Sequence, residues 1–165
     1  MTGVVLAGGK SSRMGRDKAA LKLDGQPLVE RCVNVLQQCF PKVIVVRQDD
    51  VPGLGPMGGL LTALRRAPKI FVVACDMPFL NAALICEMAS QLPGYDAVAI
   101  PREPLHAAYS ARILPVIEAQ IAAGDYSVQS LLSKVRVKFE HAKPIVNVNT
   151  PQEWEAICEK FQSFS

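Results

Sequence analysis

"VVLAGGKSSRMGRDKAAL", Val4 to Leu21, is the stretch from which the rest of the chain can be read. A short apolar run breaks into Gly8 and Gly9. A polar segment follows, carrying Lys10, Arg13, Arg16 and Lys18 with Asp17 as the acid, before apolar residues resume. An apolar strand running straight into such a loop predicts an anion site. Glycine lets backbone amides come close to a phosphate or take positive φ, and Gly8, Gly9 and Gly15 are spaced for this. Arg13 and Lys18 can neutralise a triphosphate from the side. A solvated surface loop is the alternative at this point.

Working outward, the pattern alternates. "TGVVLA" reads as a buried strand, and "PLVERCVNVLQQCF" places Leu28, Val29, Cys32, Val35, Leu36 and Cys39 at helical spacing. "KVIVVR" is a β-branched strand, "GLLTALRRA" a short helix and "KIFVVAC" a third strand. "NAALICEMASQL" is a helix with Asn81 as its N-cap, and "YDAVAIP" a fourth strand. "LHAAYS" reads as a strand, "ARILPVIEAQIAAG" as a helix ended by Gly124, and "SVQSLLSK" as a short helix capped by Ser127. "VRVKFE" alternates as a strand. In "TPQEWEAICEKF", Thr150, Pro151 and Glu153 form a capping-box signature. Apolar strands alternating with amphipathic helices predict a three-layer α/β/α sandwich around a mostly parallel sheet, a Rossmann-like arrangement. Ligands bind such sheets at the carboxyl ends of the strands, so the residues just after each strand are the ones to search.

The bulk numbers agree. The 165 residues fit one domain with a substantial core, half of them hydrophobic and a fifth charged, at a net charge of +3. That balance gives no nucleic-acid or membrane surface, since basic residues are scattered and nearly matched by acids. No transmembrane run and no signal peptide are visible, which predicts a cytoplasmic protein. Five cysteines, Cys32, Cys39, Cys75, Cys86 and Cys158, include no C-x-x-C pair and read as small buried hydrophobes in a reducing compartment. His106 and His141 lack metal-ligand spacing and read as structural or surface residues, with a place near a second substrate left open for His106.

Two familiar motifs fail on spacing. "GGKSS" contains the end of a phosphate-binding P-loop, but the leading glycine would have to be residue 4, which is Val4. "GLGPMG", Gly53 to Gly58, matches G-x-G-x-x-G literally but contains Pro56 and does not follow the first strand. The acids are better placed. Asp76 ends the apolar run "VVACDMP", facing the expected crevice, and Mg²⁺ needs only one or two carboxylates beside substrate phosphates. A turn or cap role for Asp76 is the alternative. Asp49 and Asp50 follow the second strand, one of them free to contact a base or ribose. In "VNVNTPQEW", Asn147 and Asn149 lie on the same side of an extended segment, available to a ligand if Thr150 takes the cap.

Together these residues resemble one family. "LAGGKSSRMGRDK" is similar to the signature loop of the nucleotidyltransferases, and within them the chain resembles the molybdenum cofactor guanylyltransferases, the MobA family. "GPMGGL", "CDMPFL", "PLHAAYS" and "NVNTPQEW" follow in the family's order over nearly the whole chain. The resemblance implies a single nucleotidyltransferase domain over residues 1–165. It also implies transfer of GMP from GTP to molybdenum-bound molybdopterin, giving the guanine dinucleotide cofactor and pyrophosphate with Mg²⁺ as cofactor. It implies that Leu6, Ala7, Gly8, Gly9, Gly15, Lys18, Asp49 and Asp76 hold GTP, and that Arg13, Lys18 and Asp76 are catalytic. Asp76 would also bind the metal, and Asn147 and Asn149 would lie on the pterin side. Proteins that deliver molybdopterin are implied partners. One departure stands out: the family carries a further segment between the second strand and the G-P element, and here "VIVVR" runs almost directly into Asp49. Arg47 or Gln48 then stands where a guanine contact is expected, and base selectivity is the property at stake. A CTP-using relative, a transferase for another small phosphate, a non-catalytic nucleotide-binding protein and a dinucleotide oxidoreductase are the alternatives.

Overall fold

The computed structural model describes residues 1–8, 21–142 and 145–163. In chain order the elements are β1 (Thr2–Leu6), β2 (Lys22–Leu23), β3 (Gln26–Pro27), α1 (Leu28–Gln37), β4 (Val43–Val46), α2 (Pro56–Arg66) and β5 (Lys69–Ala74). They continue with α3 (Ala82–Ser90), β6 (Ala97–Ile100), β7 (Glu103–Ser110), a 3₁₀ turn (Ala111–Ile113), α4 (Leu114–Ala122), α5 (Val128–Leu132), β8 (Val137–Phe139) and α6 (Pro151–Ser163).

Six strands form one sheet in the order β4-β1-β5-β7-β6-β8. β1 pairs in parallel with β4 and β5, and β6 with β8, while β7 runs antiparallel to both neighbours. The exception has a local cause. Only Pro101 and Arg102 separate β6 from β7, and a connection that short can make a hairpin but not a crossover. Pro101 followed by Arg102 at φ 67° fits the type II turn pattern, proline first and a left-handed residue second.

The inner strands β1, β5 and β6 and most of β7 are buried on both faces, as a sheet covered by helices requires, while the edge strands β4 and β8 are partly open. Along β1, Val4 joins one core and Val5 the other. The first core lies under α2, α4 and α5, with Leu60, Leu64, Ile117, Leu131 and Tyr109; the second lies under α1 and α3, with Leu36, Ile85, Met88 and Phe71. This is the three-layer α/β/α architecture read from the alternation. The predicted caps also hold. Asn81 Oδ1 accepts from Leu84 N–H, Ser127 Oγ from Ser130 N–H and Thr150 Oγ1 from Glu153 N–H, while Glu153 Oε2 accepts from Thr150 N–H at 3.1 Å.

Three features depart from the sequence reading. β2 and β3 form a hairpin that the pattern had not resolved, turned by Asp24 (φ 53°) and Gly25 (φ 73°). Consecutive left-handed residues are what a two-residue hairpin turn demands, and Asp-Gly is the pair that supplies them most readily. A third, smaller apolar cluster gathers Leu21, Leu23, Leu28, Val148 and Ile157, with Trp154 and Cys158 against it, so α6 packs on this hairpin. Finally, Cys39 and Cys86 form a disulfide between the end of α1 and α3, with Cα atoms 5.5 Å apart. The expectation of five reduced cysteines therefore fails for these two. Cys32, Cys75 and Cys158 are not disulfide-bonded.

Candidate active site

β1 leads through α1 to β4 on one side, and the chain then returns across β1 to place β5 on the other. The crevice at the carboxyl ends of β1 and β5 is thus the topological switch point, where open α/β sheets bind their ligands. Backbone hydrogen bonds fix both rims: Ala7 N–H donates to Val46 O at 2.8 Å, and Cys75 N–H to Leu6 O at 3.1 Å. Gly8 is required by contact with the neighbouring strand end, since a Cβ there would lie 2.8 Å from the Arg47 carbonyl oxygen.

On the β4 side, the literal G-x-G-x-x-G stretch turns out to be the entry to α2. Gly55 caps that helix at φ 58°, ψ −144°, a conformation open essentially to glycine, with Pro56 in the first turn. Gly58 and Gly59 then face Asp49 and Leu6. A Cβ on Gly58 would sit 2.8 Å from Asp49 Oδ2, and one on Gly59 would sit 3.1 Å from Leu6 Cδ2 and 3.4 Å from Asp49 Oδ1. The structure therefore brings together Leu6 and Asp49, predicted 43 positions apart, at one helix N-terminus, where the helix dipole favours negative charge. Burial first, and then the neighbouring Asp50, push the Asp49 carboxyl above its usual range. Asp50 is the residue of the pair committed elsewhere: its carboxylate meets Arg66 at 3.0 Å and its N–H donates to Thr62 Oγ1 at 2.9 Å.

On the β5 side, Asp76 is half-buried just beyond the strand end, followed by buried Met77 and Pro78. Val148 N–H donates to the Asp76 carbonyl at 2.9 Å. Val148 is completely buried in the third cluster, so the segment carrying Asn147 and Asn149 is pinned against the end of β5 from two directions. Asn147 donates through Nδ2 to the Glu103 carboxylate, 3.2 and 3.4 Å from its two oxygens. Asn149 N–H donates to Glu153 Oε2 at 2.7 Å, within the capping network of α6. A cleft of about 320 Å³ opens beside this rim, between α1 and Met77–Leu80, lined in part by Gln26, Arg31, Asn34 and Phe79.

Of the residues predicted to act, Leu6, Ala7, Gly8, Asp49, Asp76, Asn147 and Asn149 lie around this one crevice. Gly9, Arg13, Gly15 and Lys18 lie outside the described residues. Sequence reasoning missed Glu103, whose link to Asn147 spans 44 positions and leaves no local signal. His106 is fully enclosed, edge-on to Phe71 at 5.3 Å between ring centres, and burial pushes its pKa down to about 4. It is a neutral structural residue, and the option of a place beside a second substrate falls. His141 is exposed. Burial, then Cys75 and Asp76, push the Cys32 thiol up to about 12, so it is neither a nucleophile nor a ready ligand at neutral pH.

Among the described residues no three His, Cys, Asp or Glu side chains gather as a ready-made metal cage. A half-buried single carboxylate at a strand end suits Mg²⁺, which keeps waters and takes much of its shell from substrate phosphates. Among the described residues, no helix is long and apolar enough to cross a membrane.

A sheet of this order, with Asp76 just beyond β5 and Gly8 just beyond the neighbouring β1, has the fold of the nucleotidyltransferases. A crystal structure of a molybdopterin-guanine dinucleotide biosynthesis protein A from Archaeoglobus fulgidus superposes with a TM-score of 0.77 at 23% identity, covering 100% of both chains. The 2-C-methyl-D-erythritol 4-phosphate cytidylyltransferase of Thermus thermophilus superposes with a TM-score of 0.74 at 13% identity, covering 96% of this chain and 98% of that one. More narrowly, the chain belongs to the MobA-like NTP transferase family, whose domain model matches residues 3–143. A "Probable molybdenum cofactor guanylyltransferase" of Pelotomaculum thermopropionicum is 36% identical over 183 aligned positions, covering 92% of this chain and 89% of the relative. The protein of that name from Carboxydothermus hydrogenoformans is 30% identical, covering 98% and 96%. An alignment of 183 positions exceeds the 165 residues here, in keeping with the missing segment noted in the sequence. The structure shows β4 passing to α2 through residues 47–55 alone.

Proposed function

We propose that this protein transfers GMP from GTP to molybdenum-bound molybdopterin, releasing pyrophosphate and forming the guanine dinucleotide cofactor. The observation that carries the reading is the Val148–Asp76 hydrogen bond, which sets the segment bearing Asn147 and Asn149 against the strand end bearing Asp76. A two-substrate transferase needs a nucleotide side and an acceptor side meeting at the transferred phosphorus. The naming of the relatives supports the choice of guanine and molybdopterin.

The acceptor's own phosphate oxygen attacks the α-phosphorus, so no protein nucleophile is required; alignment and charge neutralisation carry the rate. In this reading Leu6, Ala7 and Gly8 line the nucleotide, with Gly9 and Gly15 giving amides to its phosphates and Arg13 and Lys18 countering their charge. Asp49 accepts from donors of the base or ribose, and Asn147 and Asn149 face the pterin. Mg²⁺, held by Asp76 and phosphate oxygens, would supply Lewis-acid stabilisation of the phosphates. We place the reaction in the cytoplasm, with molybdopterin handed over by delivery proteins; the Cys39–Cys86 bond is the feature that bears against a reducing compartment.

The test is pyrophosphate release by the purified protein given molybdopterin, Mg²⁺ and each of GTP, CTP, ATP and UTP. Release with GTP alone is expected. Equal release with CTP would overturn guanine selectivity, and nucleotide binding without release for any acceptor would make this a binding protein.

A further inference from the structure

The end of β5 divides two sides of the sheet. Gly58 and Gly59, with Asp49 against them, belong to the side covered by α2, whose Met57 and Leu60 lie in the first core. The cleft of about 320 Å³ lies on the other side, between α1 and the residues that lead from Asp76 into α3. Cys32, Met77 and Leu80 join its floor to the second core. Val148, bonded to the Asp76 carbonyl, packs with Leu28, the first residue of α1, which forms one wall of this cleft. The segment of Asn147 and Asn149 therefore reaches the strand end from the cleft's side.

The two walls differ in chemistry. One is apolar: Met77, Pro78 and Phe79, with Phe79 left 44% exposed. An aromatic ring standing open at the mouth of a cleft gains by being covered, and a flat ring covers it best. The other wall brings Gln26, Arg31 and Asn34. Each carboxamide offers an N–H and a carbonyl oxygen side by side, and the guanidinium offers donors alone. A planar heteroaromatic ring whose edge carries an N–H beside a C=O is complementary to both walls at once. The volume, at the lower end for small-molecule sites, suits such a ring and not a nucleotide with its triphosphate.

We propose that this cleft seats the pterin ring of the acceptor. Phe79 takes the face of the ring, Gln26 and Asn34 pair with its N–H and carbonyl edge, and Arg31 donates to a ring oxygen or nitrogen. The proposal rests on the two-substrate reading above. Pro78 follows Asp76 by two residues, so their backbones are at most about 7 Å apart and the ring's phosphate arm has a short way to go. Acceptor and nucleotide then approach from opposite sides of the sheet and meet at Asp76.

The probe is 6-hydroxymethylpterin, a ring with neither phosphate nor metal, titrated by its own fluorescence. Binding to the wild type is expected, and none up to the solubility limit of the pterin overturns the proposal. Phe79→Ala is expected to weaken binding about tenfold, through loss of stacking. Asn34→Ala is expected to weaken it about fivefold, through loss of a hydrogen bond. Affinity for GTP should stay within about twofold of wild type in both variants. Unchanged pterin affinity in both, or an equal loss of GTP affinity, overturns the proposal. A measurement on the wild type alone covers the case in which a variant does not fold. With ¹³C-labelled methionine methyls, the pterin is expected to shift the Met77 signal and to leave Met57, on the α2 side, in place. Binding that leaves Met77 unmoved overturns the proposal. Pterin bound at Met77 by a protein that turns over no molybdopterin would defeat the functional reading and leave the cleft standing. Turnover of molybdopterin with a KM untouched by Phe79→Ala would do the reverse.

Discussion

Gly58→Ala separates what the first turn of α2 does for stability from what it does for the site. Alanine is the better helix former by up to about 1 kcal/mol, so propensity alone makes the variant more stable. The added Cβ would lie 2.8 Å from Asp49 Oδ2, 3.2 Å from its Cγ and 3.1 Å from the Val51 carbonyl oxygen. The first two contacts are with a side-chain end, which yields by rotating away at little cost. The third is with backbone and costs a fraction of the 1–3 kcal/mol typical of overpacking, roughly 1 kcal/mol here. Gain and loss nearly cancel, giving a net change within about 1 kcal/mol and a melting shift of at most about 4 °C for a chain of this size. The carboxylate of Asp49, however, is displaced from the crevice. KM for the nucleotide is expected to rise about tenfold, with KM for the acceptor unchanged. Nucleotide titration and thermal melting of Gly58→Ala, of Asp49→Ala and of the double variant make the check. The two effects on nucleotide affinity should be strongly non-additive, because each removes the same carboxylate from the same place. Additive losses, or wild-type affinity in a stabilised Gly58→Ala, would refute the reasoning.

Three further outcomes are expected. Asp76→Ala should abolish pyrophosphate release, by at least about a hundredfold, while leaving the melting temperature within a few degrees, since the side chain is only half-buried at a strand end. His106, buried and neutral with a pKa lowered to about 4, takes up its proton only on unfolding once pH falls below its unfolded value near 6.5. Stability is then lost as pH falls from 6.5 toward 4, by about 2 kcal/mol between pH 7 and pH 5, and His106→Leu should remove that part of the slope in denaturant titrations. Cleaving the Cys39–Cys86 bond, which spans a sequence separation of 47, should lower stability by up to about 4 kcal/mol on the chain-entropy account, measured as a reduced midpoint under dithiothreitol and in Cys39→Ser/Cys86→Ser.

Much of the architecture was legible because it is written locally. The burial of β1 and β5, the Asn81, Ser127 and Thr150 caps and the end of α4 at Gly124 all follow from residues within a few positions of one another. So did the positions of Leu6, Asp49 and Asp76, since strand ends in an α/β sheet meet at one rim. What escaped depends on partners far along the chain. The antiparallel direction of β7 could have been read from the two residues that precede it, and the β2–β3 hairpin from Asp24-Gly25. No local pattern announces that Cys39 meets Cys86, that Val148 docks on Asp76, or that Glu103 orients Asn147. These contacts exist only once two layers have closed on each other.

The third apolar cluster gives the site a history as well as a shape. Asp76 is synthesised 72 residues before Val148, which at about 5–20 residues per second is several seconds earlier. During that interval β1, β4 and β5 can pair, while the β2–β3 hairpin has Leu28 of α1 against it but not yet α6. Only when Trp154 and Ile157 arrive is Leu23 shielded and Val148 drawn onto the end of β5. In the growing chain the strand ends of β1, β4 and β5 therefore exist before the segment of Asn147 and Asn149 that docks on them, and α6 is the clasp that holds that segment in place.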